Sequence, residues 1–111
     1  MLIAHRGDPA HAPENTLASF RSAVRKGAKA VEADVRRTAD GIWVVFHDPT
    51  LKRTTGQSGR LSRLPWRDLA ETEAGAWFNP RFLGEPVPLI SDVLAWCRSE
   101  RVDLFLDLKE S

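Results

Sequence analysis

Residues Leu2 to His5 form a short apolar run closed by Gly7 and Pro9, which suits a brief buried strand followed by a loop. After Pro13, Asn15 or Thr16 can cap a helix whose apolar positions Leu17, Phe20 and Val24 recur at helical spacing. Lys26 in its last turn and Gly27 just beyond mark its end. Residues Ala30 to Val35 alternate, with Val31, Ala33 and Val35 on one face and Glu32 and Asp34 on the other, as a second strand should. Strand, helix and strand make a βαβ unit, the repeating element of α/β folds with parallel sheets.

That rhythm then breaks. Ile42 to Phe46 is another β-branched and aromatic run, too close to the second strand for a crossover helix, so the connection reads as a hairpin. Asp40-Gly41 is a dipeptide favoured in type I′ turns, and a two-residue loop there pairs Ala39 with Ile42. Residues Pro49 to Pro88, rich in Gly, Pro, Thr, Ser and Arg, read as an inserted segment with one weak helical patch after Pro65. Ser91 starts a further helix carrying Val93, Leu94, Trp96 and Cys97, and Leu104 to Lys109 forms a last strand with its leucines on one face.

The chain of 111 residues fits one domain, and 42% hydrophobic with 28% charged residues is ordinary for a globular protein. Sixteen basic against fifteen acidic residues give a net charge of +1, which provides no broad field for a polyanion such as nucleic acid. The single Cys97 has no disulfide partner within the chain and reads as a small buried hydrophobe. No signal peptide or membrane-spanning run is visible, so the expected location is cytoplasmic.

Spacing also gathers chemistry. With Asp40 and Gly41 as the two loop residues, counting back places His47 opposite Asp34, on the face that also carries Glu32. The last strand adds Asp107 and Lys109 on a common face, and the first delivers His5 and Arg6 at its C-terminal end, where parallel α/β sheets bind ligands. Three carboxylates suit a hard divalent cation such as Mg²⁺ or Ca²⁺, and no thiolate cluster is present for zinc. Arg6 and Lys109 can neutralise phosphate oxygens, and a pair of imidazoles can move protons at neutral pH. The inventory is coherent for chemistry on a phosphate ester. Trp43, Trp66, Trp77 and Trp96 read as packing groups, although Trp77 and Phe78 could line a pocket for the substrate's alcohol.

His-Arg-Gly at 5 to 7, Pro-Glu-Asn-Thr at 13 to 16, Glu-Ala-Asp at 32 to 34 and His-Asp at 47 to 48 together resemble the glycerophosphodiester phosphodiesterase family. Leu-Asp-Leu-Lys at 106 to 109 extends the resemblance over essentially the whole chain. It implies a partial TIM (β/α) barrel: the first strands, a hairpin and the insertion at about 49 to 88, in a single incomplete barrel domain, since a full barrel takes about 250 residues. It implies metal-dependent hydrolysis of a glycerophosphodiester to glycerol 3-phosphate and an alcohol, in lipid metabolism. His5 and His47 would be the acid/base pair in either order, Glu32 and Asp34 would bind the metal, and Arg6 would meet the phosphate. Asp107 stands where the family has a glutamate, which keeps the charge and shortens the reach by one methylene. The alternatives are a lysophospholipase D-type phosphodiesterase and a truncated, non-catalytic assembly module. In the last case, unpaired strand edges would favour self-association.

Overall fold

The protein is described by a computed structural model over residues 2–109. Its core is an open sheet of four strands, β1 (Ile3–His5), β2 (Ala30–Arg37), β3 (Trp43–Val45) and β4 (Asp103–Leu108). β2 is central: β1 and β4 pair with it in parallel, and β3 pairs antiparallel with its second half. The parallel pairs are joined through α1 (Leu17–Arg25) and, after β3, through α4 (Ile90–Glu100). This is the α/β arrangement expected, an unclosed wall of a (β/α) barrel.

The two faces of β2 do different work because its side chains alternate. Val31, Ala33 and Val35 pack with Phe20 of α1 and Val93 and Cys97 of α4 in one buried cluster, and the Phe20 and Trp96 rings stack with centroids 6.3 Å apart. Burial pushes the Cys97 thiol up to about 11, as an apolar site should. The opposite face carries Glu32, Asp34 and Arg36. Helix α1 starts at Thr16, whose hydroxyl oxygen accepts from the Ser19 N–H at 3.2 Å. Helix α4 begins one residue earlier than expected, at Ile90, with the Asp92 carboxylate accepting from the Leu89 N–H, so Ser91 is not its cap.

The hairpin forms, but in a different register. Val35 pairs with Val45, Arg36 with Val44 and Arg37 with Trp43, so Asp34 lies opposite Phe46 and the expected Asp34–His47 pairing is wrong by one residue. The cause is the turn: Thr38 N–H donates to the Ile42 carbonyl and Gly41 N–H to the Thr38 carbonyl, leaving a three-residue loop of Ala39, Asp40 and Gly41. Only Gly41 takes positive φ, at 82°, whereas a type I′ turn needs two such residues. The Thr38 hydroxyl completes this loop, donating to Asp40 and accepting from the Ile42 N–H.

Residues 49–88 contain two short helices, α2 (Lys52–Thr55) and α3 (Trp66–Leu69), and 3₁₀ turns at Leu61–Arg63 and Pro80–Phe82. They pack Leu51, Leu61, Leu69, Ala74 and Val87 around Val44 and Phe46, forming a second buried cluster on the far face of β3. On β4, Leu104 joins the helix-side core while Phe105, Leu106 and Leu108 stay exposed. No helix among the described residues is long and apolar enough to cross a membrane.

Candidate active site

Strand register assembles the acidic centre. His5 pairs with Glu32 across β1 and β2, and Asp34 pairs with Asp107 across β2 and β4. Glu32, Asp34 and Asp107 each offer a carboxylate oxygen, and these oxygens all lie within 4.8 Å of one another. Ligand distances of about 2.0–2.1 Å to Mg²⁺ and about 2.3–2.6 Å to Ca²⁺ put oxygens sharing one cation within about 4–5 Å of each other, which this cluster meets for either ion after at most small side-chain motion. Asp34 Oδ1 and Glu32 Oε1 are also buried and make no hydrogen bond, although Lys109 Nζ lies 3.6 Å from the first and His5 Nδ1 3.0 Å from the second, so both oxygens keep lone pairs that a cation can use. The donor set is all oxygen, as hard divalent cations prefer.

Cationic side chains flank this cluster. Arg6 Nε lies 3.1 Å from Asp34 Oδ2, and Lys109 Nζ lies 2.8 Å from Asp107 and 3.6 Å from Asp34. Asp34, 0% exposed, is held further by Asn15, whose amide donates to Oδ2 at 2.9 Å while its oxygen accepts the Asp34 N–H. Burial and the neighbouring Asp34 charge raise the Glu32 pKa above the ordinary carboxyl range. Asp107 moves the other way, mainly through its hydrogen bond to Lys109, which in turn raises the Lys109 pKa.

Two unusual backbone residues aim these groups. Arg6 has φ 59°, a left-handed conformation that costs a long side chain about 1–2 kcal/mol. Asn15, at φ 57°, tolerates the region better, and its N–H donates to the Arg6 carbonyl. Gly7, at φ 90°, lets this loop press against α1, where an added Cβ would come within 2.7 Å of the Ser19 carbonyl carbon. Gly7→Ala is therefore expected to destabilise by roughly 1–3 kcal/mol and to displace Arg6, which thermal unfolding alongside activity would reveal.

The histidines arrive differently. His5 Nδ1 is 3.0 Å from Glu32 Oε1. His47 lies beyond the end of β3, with its carbonyl accepting from Arg36 Nε at 2.8 Å and its Nδ1 2.7 Å from Asp48 Oδ1. Both imidazoles are close enough to Asp107 to contribute to lowering its pKa. His47 thus reaches the acidic face by leaving the strand, not through cross-strand pairing. Each imidazole has a carboxylate beside its Nδ1.

Four residues outside the expected set complete the centre. Asp48 and Glu14 each receive two hydrogen bonds from Arg53 of α2, at 2.8–2.9 Å. Asn15 clamps Asp34 instead of capping the helix. The sequence signal for Glu14, Asn15 and Asp48 was their place inside the Pro-Glu-Asn-Thr and His-Asp motifs. Arg53 had none, because it lies in the polar segment read as an insertion. Trp77 stands with its ring 5.7 Å from the Arg53 guanidinium and meets Phe78 edge to face.

Similar proteins share both sequence and shape. The chain is 41% identical to glycerophosphodiester phosphodiesterase 1 of Bos taurus over 109 residues, covering 96% of this chain and 33% of that protein. The crystal structure of a glycerophosphodiester phosphodiesterase from Agrobacterium tumefaciens superposes with TM-score 0.94 at 39% identity, covering 97% of this chain and 46% of that one. An Oleispira antarctica phosphodiesterase in complex with the product sn-glycerol-3-phosphate gives TM-score 0.93 at 40% identity, covering 96% and 43% respectively. The chain thus spans between a third and just under half of these relatives. Residues 5–111 match the profile of the glycerophosphoryl diester phosphodiesterase family, and the chain belongs to that family.

Proposed function

We propose that the protein carrying these residues hydrolyses glycerophosphodiesters to glycerol 3-phosphate and an alcohol, a reaction of lipid metabolism. In this reading residues 49–88 are an insertion in a single barrel domain. The observation that supports it most is the convergence of Glu32, Asp34 and Asp107 between Arg6 and Lys109, with both histidines nearby. The product bound to the Oleispira antarctica relative points to the same substrate class.

A divalent cation held by Glu32, Asp34 and Asp107, Mg²⁺ or Ca²⁺, would polarise the phosphodiester and offset charge developing on its oxygens. Arg6 and Lys109 orient the phosphate by direct charge contact. The nucleophilic oxygen, from water or from the substrate's own hydroxyl, gives its proton to Nε2 of one histidine as its bond to phosphorus forms. The bond from phosphorus to the alcohol oxygen breaks, and that oxygen takes a proton from the other histidine. If the substrate hydroxyl attacks first, water opens the resulting cyclic phosphate with the two histidines exchanging roles. Either route yields glycerol 3-phosphate, the alcohol and no net change in protons on the protein.

The test is product identity. Incubating the native polypeptide with glycerophosphocholine, glycerophosphoethanolamine and glycerophosphoserine in the presence of Mg²⁺ or Ca²⁺ should release glycerol 3-phosphate from at least one of them. No release from any, or cleavage to free glycerol and a phosphorylated alcohol, contradicts the proposal.

A further inference from the structure

Arg53 sits on α2, in a segment that supplies none of the proposed acid, base or cation ligands, yet its guanidinium joins two parts of the site. Nε and Nη2 donate to Oδ2 and Oδ1 of Asp48 at 2.8 and 2.9 Å. Nη1 and Nη2 donate to Oε1 and Oε2 of Glu14 at 2.9 and 2.8 Å. Beyond Asp48 is His47, its Nδ1 2.7 Å from Oδ1. Beyond Glu14 is Arg6, its Nη1 3.7 Å from Oε2, and Arg6 in turn reaches Asp34. One continuous path therefore runs from an imidazole placed to move protons to a guanidinium placed to meet phosphate, and Arg53 is its midpoint.

We infer that Arg53 is a positioning residue, which holds His47 and Arg6 in fixed mutual geometry by clamping Asp48 and Glu14 together. The inference rests on the reaction proposed above. Guanidinium is suited to this task because its planar fork can serve two carboxylates at once, each by two parallel hydrogen bonds. Lysine, with a compact ammonium, cannot reproduce two bidentate contacts pointing in different directions. Trp77 covers the fork from one side, which restricts its plane.

Exposure separates positioning from simple stabilisation. The Arg53 side chain is 44% exposed, and ion pairs that open to water add little to folding. Glu14 and Asp48, by contrast, are 9% and 20% exposed, so their carboxylates depend on Arg53 for orientation more than the fold depends on the pairs. The Arg53 hydrogen bond is also the main reason that the Asp48 pKa falls to about 2. Asp48 therefore remains an acceptor throughout the range in which an imidazole is a useful base, and keeps the proton of neutral His47 on Nδ1. A displacement of about 1 Å at a reacting group can cost about 10²-fold in rate, so a small rotation of this clamp reaches the chemistry.

The test uses Arg53→Met and Arg53→Lys in the native polypeptide, with two independent readings. Steady-state kinetics should show kcat lower by ~10- to 100-fold in both, the usual scale for residues that orient catalytic groups, with lysine failing to rescue. Proton and ¹⁵N NMR of His47 should show a hydrogen-bonded, slowly exchanging Nδ1–H in the unaltered protein and its loss in both variants. Asp48→Asn should reproduce the kinetic loss, and combining it with Arg53→Met should add little further, because the two act through one path. A kcat within twofold of the unaltered protein, or an unchanged His47 spectrum in a folded variant, overturns the inference. Should Arg53→Met fail to fold, Arg53→Lys carries both readings. The NMR reading needs no turnover: a protein inactive on every glycerophosphodiester defeats the proposed reaction, while loss of the Nδ1–H signal in the variants still upholds positioning by Arg53.

Discussion

Replacing His5 or His47 by alanine is expected to lower kcat by at least ~10²-fold, the scale of a lost general acid or base. The geometry supports an effect on chemistry more than on folding. Their side chains are 62% and 31% exposed, and neither belongs to the buried clusters, so little packing is lost. Each imidazole has a carboxylate at Nδ1, Glu32 for His5 and Asp48 for His47, so each has its orientation set from outside the ring. Removing either should leave substrate binding largely intact, because the proposed phosphate contacts come from Arg6 and Lys109 instead. Kinetics on both variants, with thermal unfolding as a control, checks this. Near-native kcat in both would make the histidines structural.

The second large effect concerns the carboxylates. Asp34→Asn is expected to lower activity by about 10³-fold, the equivalent of losing roughly 4 kcal/mol of charge stabilisation in the transition state. Asparagine keeps the shape and the contact to Asn15 but gives up the charge that opposes Arg6 and that the proposed cation requires. Asp34→Ala should do more: it leaves Arg6 and the Asn15 amide without their buried partner, a loss that costs about 3–5 kcal/mol of stability. Excess chelator should reproduce the activity loss of Asp34→Asn in the unaltered protein without unfolding it, and added Mg²⁺ or Ca²⁺ should reverse it. Activity that persists in excess chelator would remove the cation from the mechanism.

Much of this architecture is legible in the sequence because local pattern and tertiary packing agree. The alternation of β2 separates Val31, Ala33 and Val35 from Glu32 and Asp34, whereas Asp107 comes beside Asp34 only because β4 takes its place next to β2 in parallel register, a strand order that spacing alone does not fix. The hairpin was less legible because Asp40-Gly41 is compatible with more than one turn. Thr38, whose hydroxyl organises the three-residue loop, decided the register, and such a side-chain contact leaves no periodic trace. His47 reaches the site despite that slip because the strand stops at Val45 and the following residues are held by Arg36 and Asp48. Arg53 was hidden for another reason: its partner Glu14 lies 39 residues away, and a long-range ion pair is set by packing that spacing alone does not encode.

The central claim is that Glu32, Asp34 and Asp107 hold one divalent cation. Titrating metal-stripped native protein with Mn²⁺ as a spectroscopic stand-in, followed by electron paramagnetic resonance, measures this directly, with Mg²⁺ and Ca²⁺ as competitors. A site that Mg²⁺ or Ca²⁺ displaces and that disappears in folded Asp34→Asn is the expected result. No saturable site in the unaltered protein, or one that survives unchanged in the folded triple variant Glu32→Gln, Asp34→Asn, Asp107→Asn, would contradict it.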